Sequence, residues 1–399
     1  MVSPELIRKL FSAAYIKRWN DKLRPIDFVE FDKAAHKMFI AYILGACEER
    51  KEPIVWRDVI EGGLFSLLQK VVLTDLKPTV LSLIKKDPVK SAQLNTYVYS
   101  ELASMIEPFG EEFCQRFRRY FEPGEETREK KILNAASILS TTWEFDIIER
   151  ADPHGFETAE IKENLEKKLE QYTDLEGMKE YYSHVSLRHF VDLCGQLRFH
   201  ERWAYVHRIP KTSVLSHCLF VGFLAYLFSL QHHACSRRLY NNFFAGLFHD
   251  FPETLTRDIV TGVKRSVEGL RDIIIQYEKS EMKKRVYPLL PEDVHIEVRM
   301  FTEIDDRNRV VIDGEERYVL CGEIAEKYND DKYDPCEGEL VKACDELTAF
   351  VEADEAIKNG CVSERFELAK ESVIKKYGNK TVCGISLSAI AEKYERDRG

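Results

Sequence analysis

The chain has 399 residues, of which 44% are hydrophobic and 32% are charged, the proportions of an ordinary globular protein. This length favours two or three domains, each large enough to bury a core. The net charge of −10 at pH 7 argues against a nucleic-acid polymer or an anionic membrane surface as a partner. The ten cysteines are scattered without CxxC spacing, so neither a zinc ribbon nor a disulfide framework is predicted, and we expect a cytoplasmic protein.

Helical periodicity begins at the start of the chain and dominates it. Leu6, Leu10, Tyr15 and Trp19 have the spacing of one amphipathic helix, and Pro4 suits its first position. Runs with the alternating pattern of a strand are rare. The sequence therefore predicts an all-α fold.

A charged segment separates two helical halves. Residues 151–178 are rich in charged residues and poor in apolar ones, which is typical of a solvated connecting helix or linker. We therefore predict three parts, namely a helical domain at 1–150, a connecting segment at 151–182 and a second helical domain at 183–399.

The most apolar stretch of the chain is VLSHCLFVGFLAYLFSL at 214–230. Its length lies near the lower limit of the roughly 17–25 residues that span a bilayer. Because His217 lies inside this stretch and no second candidate span is present, we predict a core helix that is buried on every side. No membrane association is expected.

One small β-hairpin is predicted in the second half. In RVVIDGEERYVL (309–320), Asp313-Gly314 stands between β-branched and aromatic residues, which is the pattern of a two-residue hairpin turn.

Four blocks of the first half recur in the second half in the same order, and four matches in register indicate an internal duplication. The paired blocks are IKRW (16–19) and HERW (200–203), AHKMFIAYILG (35–45) and SHCLFVGFLAY (216–226), GLFSLLQKVVLTDLKPTV (63–80) and GLFHDFPETLTRDIVTGV (246–263), and ILNAASILSTTWE (132–144) and LVKACDELTAFVE (340–352).

Polar residues on three apolar helices of the second half form a candidate metal site. His249 and Asp250 end one helix, and Glu253 follows a turn later. His217 lies in the apolar stretch, and Asp345 borders an apolar stripe, where a carboxylate is costly unless paired or bound to metal. A lone histidine in such a helix is more often a core residue. Together, however, two His and two Asp offer the mixed N/O donors of a divalent ion that activates water.

The pattern H…HD…D resembles the HD superfamily of metal-dependent phosphohydrolases, which are all-helical. More narrowly, Arg202-Trp203, His217 fifteen residues after Arg202, HDxxExLTxD and TxVK resemble the bacterial 5′-deoxyribonucleotidases of that superfamily, over about 190–360. The resemblance implies that Glu253 is the catalytic acid/base. It implies a divalent ion, such as Mn²⁺, Co²⁺ or Mg²⁺, held by four ligands: His217, His249, Asp250 and Asp345.

The same resemblance implies five substrate contacts. Arg202 would bind the 5′-phosphate, for which a guanidinium offers a bidentate grip, and Trp203 would disfavour a 2′-hydroxyl. Asp258 would hydrogen-bond the sugar, while Thr261 and Lys264 would line the site. Structural interpretations remain open for several of these residues: a surface Arg beside a core Trp, a helix-capping Asp and a Lys on a solvated face.

Two features depart from the nucleotidase pattern and bear on substrate preference. Arg257 and Gly262 stand where those enzymes carry Gly and Pro. The segment 290–335 has no counterpart in the compact single-domain enzymes, and we expect it to reshape the mouth of the pocket.

The first half has lost most of the candidate ligands. Aligned on the same blocks, it carries Ser66, Leu67, Lys70 and Ser137 at the positions of His249, Asp250, Glu253 and Asp345, whereas His36 aligns with His217. Because Ser and Leu cannot replace an imidazole and a carboxylate, we expect no metal there. We expect a structural partner, with a binding or regulatory site as the alternative.

The sequence thus predicts two HD-type helical domains in tandem, of which the first is degenerate. The predicted function is metal-dependent hydrolysis of a small phosphorylated substrate, foremost deoxyribonucleoside 5′-monophosphates. One alternative is action on another phosphorylated metabolite or signalling nucleotide, and another is a non-catalytic nucleotide-binding regulator. Because the single-domain relatives resemble dimers, we expect a monomeric pseudo-dimer, with a homo-oligomer as the alternative.

Overall fold

A computed structural model describes residues 2–74, 76–256 and 267–396. The chain divides into two compact units, residues 1–179 and 180–399. The all-α prediction is confirmed, because the described residues form eighteen α-helices and only two small sheets.

The first unit is built from helices with one short pair of strands. In chain order its elements, including the helix that crosses the unit boundary, are α1 (Pro4–Phe11), β1 (Lys17–Arg18), β2 (Phe28–Val29), α2 (Glu30–Glu49), α3 (Trp56–Leu73), α4 (Pro78–Lys86), α5 (Pro88–Ile106), α6 (Glu111–Tyr120), α7 (Arg128–Ala151), α8 (Thr158–Glu170) and α9 (Glu176–Ser183).

The first helix is shorter than the sequence predicts. Ser3 caps its first turn by accepting a hydrogen bond from the amide of Leu6, and Pro4 occupies the first turn as expected. The helix ends at Phe11 and a 3₁₀ turn follows. Trp19 lies beyond it with a φ of 56°, so its apolar side chain came into the helical pattern by coincidence of spacing.

The core of the first unit surrounds α2, which is buried along almost its whole length and packs on α3 and α7. The charged segment that the sequence assigns to a connector belongs largely to this unit. Its helix α8 packs on α7, where Leu165 joins a buried cluster with Phe28, Phe145 and Ile148. Leu165 and Leu169, one turn apart on α8, are both buried, so this helix is part of the packed unit.

The second unit has a comparable helical core and the larger sheet. Its elements are α10 (Val185–Gln196), α11 (Val214–Gln231), α12 (Ser236–Phe248), α13 (Leu270–Glu281), α14 (Glu292–Thr302), β3 (Asn308–Ile312), β4 (Glu315–Val319), α15 (Cys321–Lys327), β5 (Cys336–Glu337), α16 (Gly338–Lys358), α17 (Glu364–Tyr377) and α18 (Leu387–Arg396).

Helix α11 is the centre of the second unit. By length and composition Val214–Gln231 could span a membrane, but 89% of this window is buried within the protein, as expected for a core helix. Its close approach to α12 depends on two glycines: a Cβ on Gly246 would lie 2.7 Å from the Cα of Gly222. This packing fixes the ends of α11 and α12, which carry candidate metal ligands.

The predicted hairpin is present. β3 and β4 pair antiparallel, with Ile312 opposite Glu315, and β5 completes a three-stranded sheet. The two residues of the turn, Asp313 and Gly314, have φ values of 56° and 81°, as a type I′ turn requires.

One pair of cysteines departs from the sequence expectation. Cys321 and Cys383, with Cα atoms 5.4 Å apart, form a disulfide, while the other eight cysteines form none. The pair was not predicted because its separation of 62 residues matches no spacing motif.

Candidate metal centre

Three structural elements bring the predicted ligands together. His217 lies in the first turn of α11, whose start is fixed by a reciprocal capping box between Ser213 and Ser216. His249 is the C-cap residue of α12, and Asp250 precedes a short 3₁₀ turn at Phe251–Thr254. Asp345 projects from α16.

The four side chains form one compact cluster. One ligand atom from each lies within 4.8 Å of all the others. The Nε2 atom of His217 is 3.1 Å from Asp345 Oδ1 and 3.5 Å from Asp250 Oδ2. The Nε2 atom of His249 is 3.2 Å from Asp250 Oδ2 and 3.9 Å from Asp345 Oδ1. Ligands about 2.0–2.2 Å from one ion would have separations in this range.

The imidazole nitrogens of the cluster fit a metal ion better than they fit the surrounding protein. Nδ1 of His249 donates to the carbonyl of Gly246 at 2.8 Å, which directs Nε2 at the carboxylates. Although they lie near carboxylates, the buried Nε2 atoms of His217 and His249 make no hydrogen bond with the described residues. Unsatisfied buried polar atoms are rare, and a cation is the simplest partner for both.

The electrostatics keep both carboxylates ionised. Burial alone would raise the pKa of Asp345, but Lys342 and His217 hold it well below its usual range. Burial is likewise outweighed at Asp250, where His249 lowers the pKa. Burial and the charge of Arg202 lower the pKa of His217, which favours the neutral imidazole. Two ionised carboxylates and a neutral His217 are forms that bind a divalent ion. Against the effect of burial, Asp250 raises the pKa of His249 well above its usual range, so this imidazole would release a proton when a metal binds.

The cluster opens on a cavity of about 320 Å³. Glu253, predicted as the acid/base, lines this cavity beside His249, Asp250 and Asp345, and it is only 7% exposed. The opposite wall comes from α13 and from the segment after α14. Its charged and polar lining residues include Arg271, Glu278, Lys279, Thr302, Glu303, Asp305 and Asp306.

Arg202 and Trp203 share one buried carboxylate that the sequence analysis missed. Nε of Arg202 donates to Glu352 Oε2 at 3.1 Å, and Nε1 of Trp203 donates to the same oxygen at 2.9 Å. Thr212 Oγ1 donates to Glu352 Oε1 at 2.6 Å. Against the effect of burial, Arg202 and Arg208 lower the pKa of Glu352 to about 2. The sequence contained a sign of this residue, because the paired blocks 132–144 and 340–352 both end in Glu, at Glu144 and Glu352.

Arg202 and Trp203, the two predicted substrate contacts that lie within the described residues, differ in their surroundings. Nη1 of Arg202 lies 3.8 Å from Asp250 Oδ2, so this guanidinium borders the metal cluster. Trp203 has a φ of 59° and packs against Phe366 with ring centroids 5.4 Å apart. The contacts of Trp203 are those of a structural residue, and its role toward a sugar stays a prediction.

A second residue missed from the sequence is Lys342. Its Nζ donates to Asp345 Oδ2 at 2.8 Å, and its side chain lines the cavity. Three predicted substrate contacts, Asp258, Thr261 and Lys264, lie outside the described residues.

Comparison with known protein families agrees with this geometry. Residues 194–383 match an HD domain. HD domains are typically metal-dependent hydrolases that bind divalent metals. The matched range contains the whole His/Asp cluster, Glu253 and Glu352. No curated protein matches the chain.

The first unit contains contacts that parallel those of the HD domain. Nε of Arg18 and Nε1 of Trp19 both donate to Glu144 Oε2 at 2.9 Å. Trp19 has a φ of 56°, close to the 59° of Trp203. The Arg–Trp–Glu arrangement around Arg202 therefore occurs once in each unit.

A matching pair of bridged backbone residues occurs in each unit, and the two pairs define a sequence offset between the units. Lys17 pairs with Val29 in the first unit, and Glu201 bridges to Ser213 in the second. Glu201 lies 184 positions after Lys17, and Ser213 lies 184 positions after Val29. The same offset relates His217 to Lys33, whereas the sequence alignment matched His217 with His36. Lys33 donates to Ser137 Oγ, just as His217 contacts Asp345. By this offset the residue that corresponds to His217 is Lys33, three positions before His36.

Proposed function

We propose that the second unit is a metal-dependent phosphomonoesterase that hydrolyses nucleoside 5′-monophosphates, foremost deoxyribonucleotides. The observation that carries this proposal is the cluster of His217, His249, Asp250 and Asp345, which opens on the same cavity as buried Glu253. The four would hold a divalent ion, which supplies Lewis-acid polarisation of a phosphate oxygen and acidifies water.

The side chains around the cluster have separate tasks. Glu253, buried beside the ligands, would carry a proton between water and the leaving alkoxide. Arg202 would bind phosphate oxygens, and Glu352 would hold its guanidinium in place through Nε. Lys342 adds a positive charge to the cavity wall beside the metal cluster, in addition to two basic residues on α13, Arg271 and Lys279.

The cavity favours a small phosphoester. Its volume of about 320 Å³ lies at the lower end of the roughly 300–1,000 Å³ of small-molecule sites. Residues from the segment 290–335 contribute to the wall, Thr302 through Asp306 among them. Because Asp305 and Asp306 are acidic, we propose that this wall faces the sugar and base, while the phosphate faces Arg202 and Lys342.

A substrate panel tests the proposal. The full chain is assayed with Mn²⁺, Co²⁺ and Mg²⁺ on deoxyribonucleoside 5′-monophosphates, ribonucleoside 5′-monophosphates and sugar phosphates, with release of inorganic phosphate as the readout. The deoxyribonucleotides should give the highest kcat/KM. Preference for sugar phosphates would support the alternative of another phosphorylated metabolite. Nucleotide binding without hydrolysis of any substrate would refute the enzymatic assignment.

We further propose that the first unit is a degenerate copy of the HD domain. Support comes from the paired Arg–Trp–Glu arrangements, the shared backbone register and the four repeated sequence blocks. On this proposal the first unit takes the place of a second subunit, giving a monomeric pseudo-dimer, and size-exclusion chromatography with light scattering tests this state against a homo-oligomer.

A further inference from the structure

In the first unit, lysine side chains lie where the second unit has candidate metal ligands and the acid/base. By backbone register Lys33 stands at the position of His217, and by the repeated blocks Lys70 stands at that of Glu253. The partner of Lys33 is the hydroxyl of Ser137, at the position of Asp345. An ammonium group thus replaces an imidazole, and the carboxylate it would contact is missing.

These lysines belong to one charged group. The carboxylate of Glu30 interacts electrostatically with Arg18, Lys33 and Lys70, and Lys37 interacts with Lys33 and Glu30. We call the four cations the basic cluster: Arg18 on β1, Lys33 and Lys37 one turn apart on α2, and Lys70 on α3.

The cluster carries more positive than negative charge. Its two carboxylates, Glu30 and Glu144, are both occupied by Arg18, with bonds of 2.8 and 2.9 Å. No carboxylate among the described residues lies within ion-pair distance of the three lysines. When all four basic groups are protonated, they exceed the two carboxylates by two positive charges, which equals in magnitude the charge of a phosphomonoester dianion.

Burial makes this excess costly without a counterion. Lys33 is 8% exposed and Lys37 is 6% exposed. Burial lowers the pKa of Lys33 to about 8, and burial together with Lys33 lowers the pKa of Lys37 to about 7. Two buried amines that form no ion pair with a protein carboxylate would be stabilised by a bound anion. The side chain of Arg18 keeps 15% exposure and Lys70 is half-buried, so solvent reaches the edge of the cluster.

We propose that the basic cluster binds the phosphate group of a small phosphorylated anion and does not hydrolyse it. The first unit would then be a phosphate-ester binding site, in which fixed ammonium groups supply the positive charge that the second unit would take from a metal. This inference does not depend on the proposed hydrolysis, because none of its residues belongs to the HD domain.

The test uses the full chain after treatment with EDTA and inorganic phosphate as the probe. Isothermal titration measures the Kd, and hydrogen exchange locates the site. Phosphate should slow exchange in peptides covering the start of α2. Lys33→Met should weaken binding at least tenfold. Ser137→Asp places a carboxylate against Lys33 and should weaken binding by a similar factor without removing any lysine.

Controls separate this site from the second unit and from general charge. Lys90→Met removes an exposed lysine of the same unit, with 69% side-chain exposure, and should leave the Kd unchanged. Asp345→Ala should abolish turnover yet preserve protection of α2 by phosphate. The proposal is overturned if phosphate protects only peptides of the second unit or fails to bind. Equal Kd values for Lys33→Met, Ser137→Asp and Lys90→Met would overturn it as well, provided that circular dichroism shows all three folded.

Discussion

Replacing Glu352 by Gln tests whether one buried carboxylate holds Arg202 in place beside the candidate metal centre. This carboxylate accepts hydrogen bonds from Arg202, Trp203 and Thr212 at 3.1, 2.9 and 2.6 Å, and it neutralises Arg208, which is 2% exposed. Removing one partner of a buried ion pair costs about 3–5 kcal/mol. The pKa of Glu352, lowered from 4.5 to about 2, corresponds to about 3 kcal/mol. The cost of breaking a buried ion pair and the pKa shift of Glu352 thus give similar estimates of the stability lost in Glu352→Gln.

The expected result is a loss of both stability and activity. Hydrogen exchange in 214–231 should report about 3 kcal/mol less protection, and kcat/KM should fall about 10- to 100-fold, because Arg202 loses its anchor. Glu144→Gln is the matched control, since Glu144 accepts the same two kinds of bond from Arg18 and Trp19 at 2.9 Å. It should destabilise the first unit and leave kcat/KM unchanged. Unaltered exchange and activity in Glu352→Gln would refute the anchoring argument.

Three further outcomes follow from the same geometry. Glu253→Gln should retain metal by elemental analysis while kcat falls about 10²–10⁴-fold, as for a lost general acid/base; full turnover would contradict its role. Asp345→Asn should lose the metal by the same measurement, whereas an unchanged metal content would place the ion elsewhere. Because the folded-state pKa of Glu352 lies below its ordinary 4.5, its contribution to stability is complete above pH 4.5 and is lost as the pH falls toward 2. The difference in thermal unfolding midpoint between wild type and Glu352→Gln should therefore become smaller as the pH falls from 4.5 toward 2. A difference that stays constant would contradict the lowered pKa of Glu352.

The sequence was most informative where local periodicity and chemistry coincide. The core helix α11 and the hairpin turn at Asp313-Gly314 follow from composition and turn chemistry over short stretches. The convergence of His217, His249, Asp250 and Asp345 was predicted from polar residues on three apolar helices and from the resemblance to the HD superfamily. Glu352 was missed since its partners lie 140–150 residues away along the chain. No local pattern records a contact of that separation.

The misplaced histidine of the first unit shows a limit of periodic reasoning. An α-helix repeats every 3.6 residues, so a shift of three positions returns nearly the same face, and apolar blocks match almost equally well in either register. Burial does not resolve this ambiguity, because α2 and α11 are buried on almost every side. His36 packs edge-on against Trp143, with ring centroids 5.3 Å apart, as a core residue does. The backbone pairs that precede α2 and α11 give the alignment that burial does not, and by their offset Lys33 corresponds to His217. The positive charge of a lysine would disfavour a metal ion at that position.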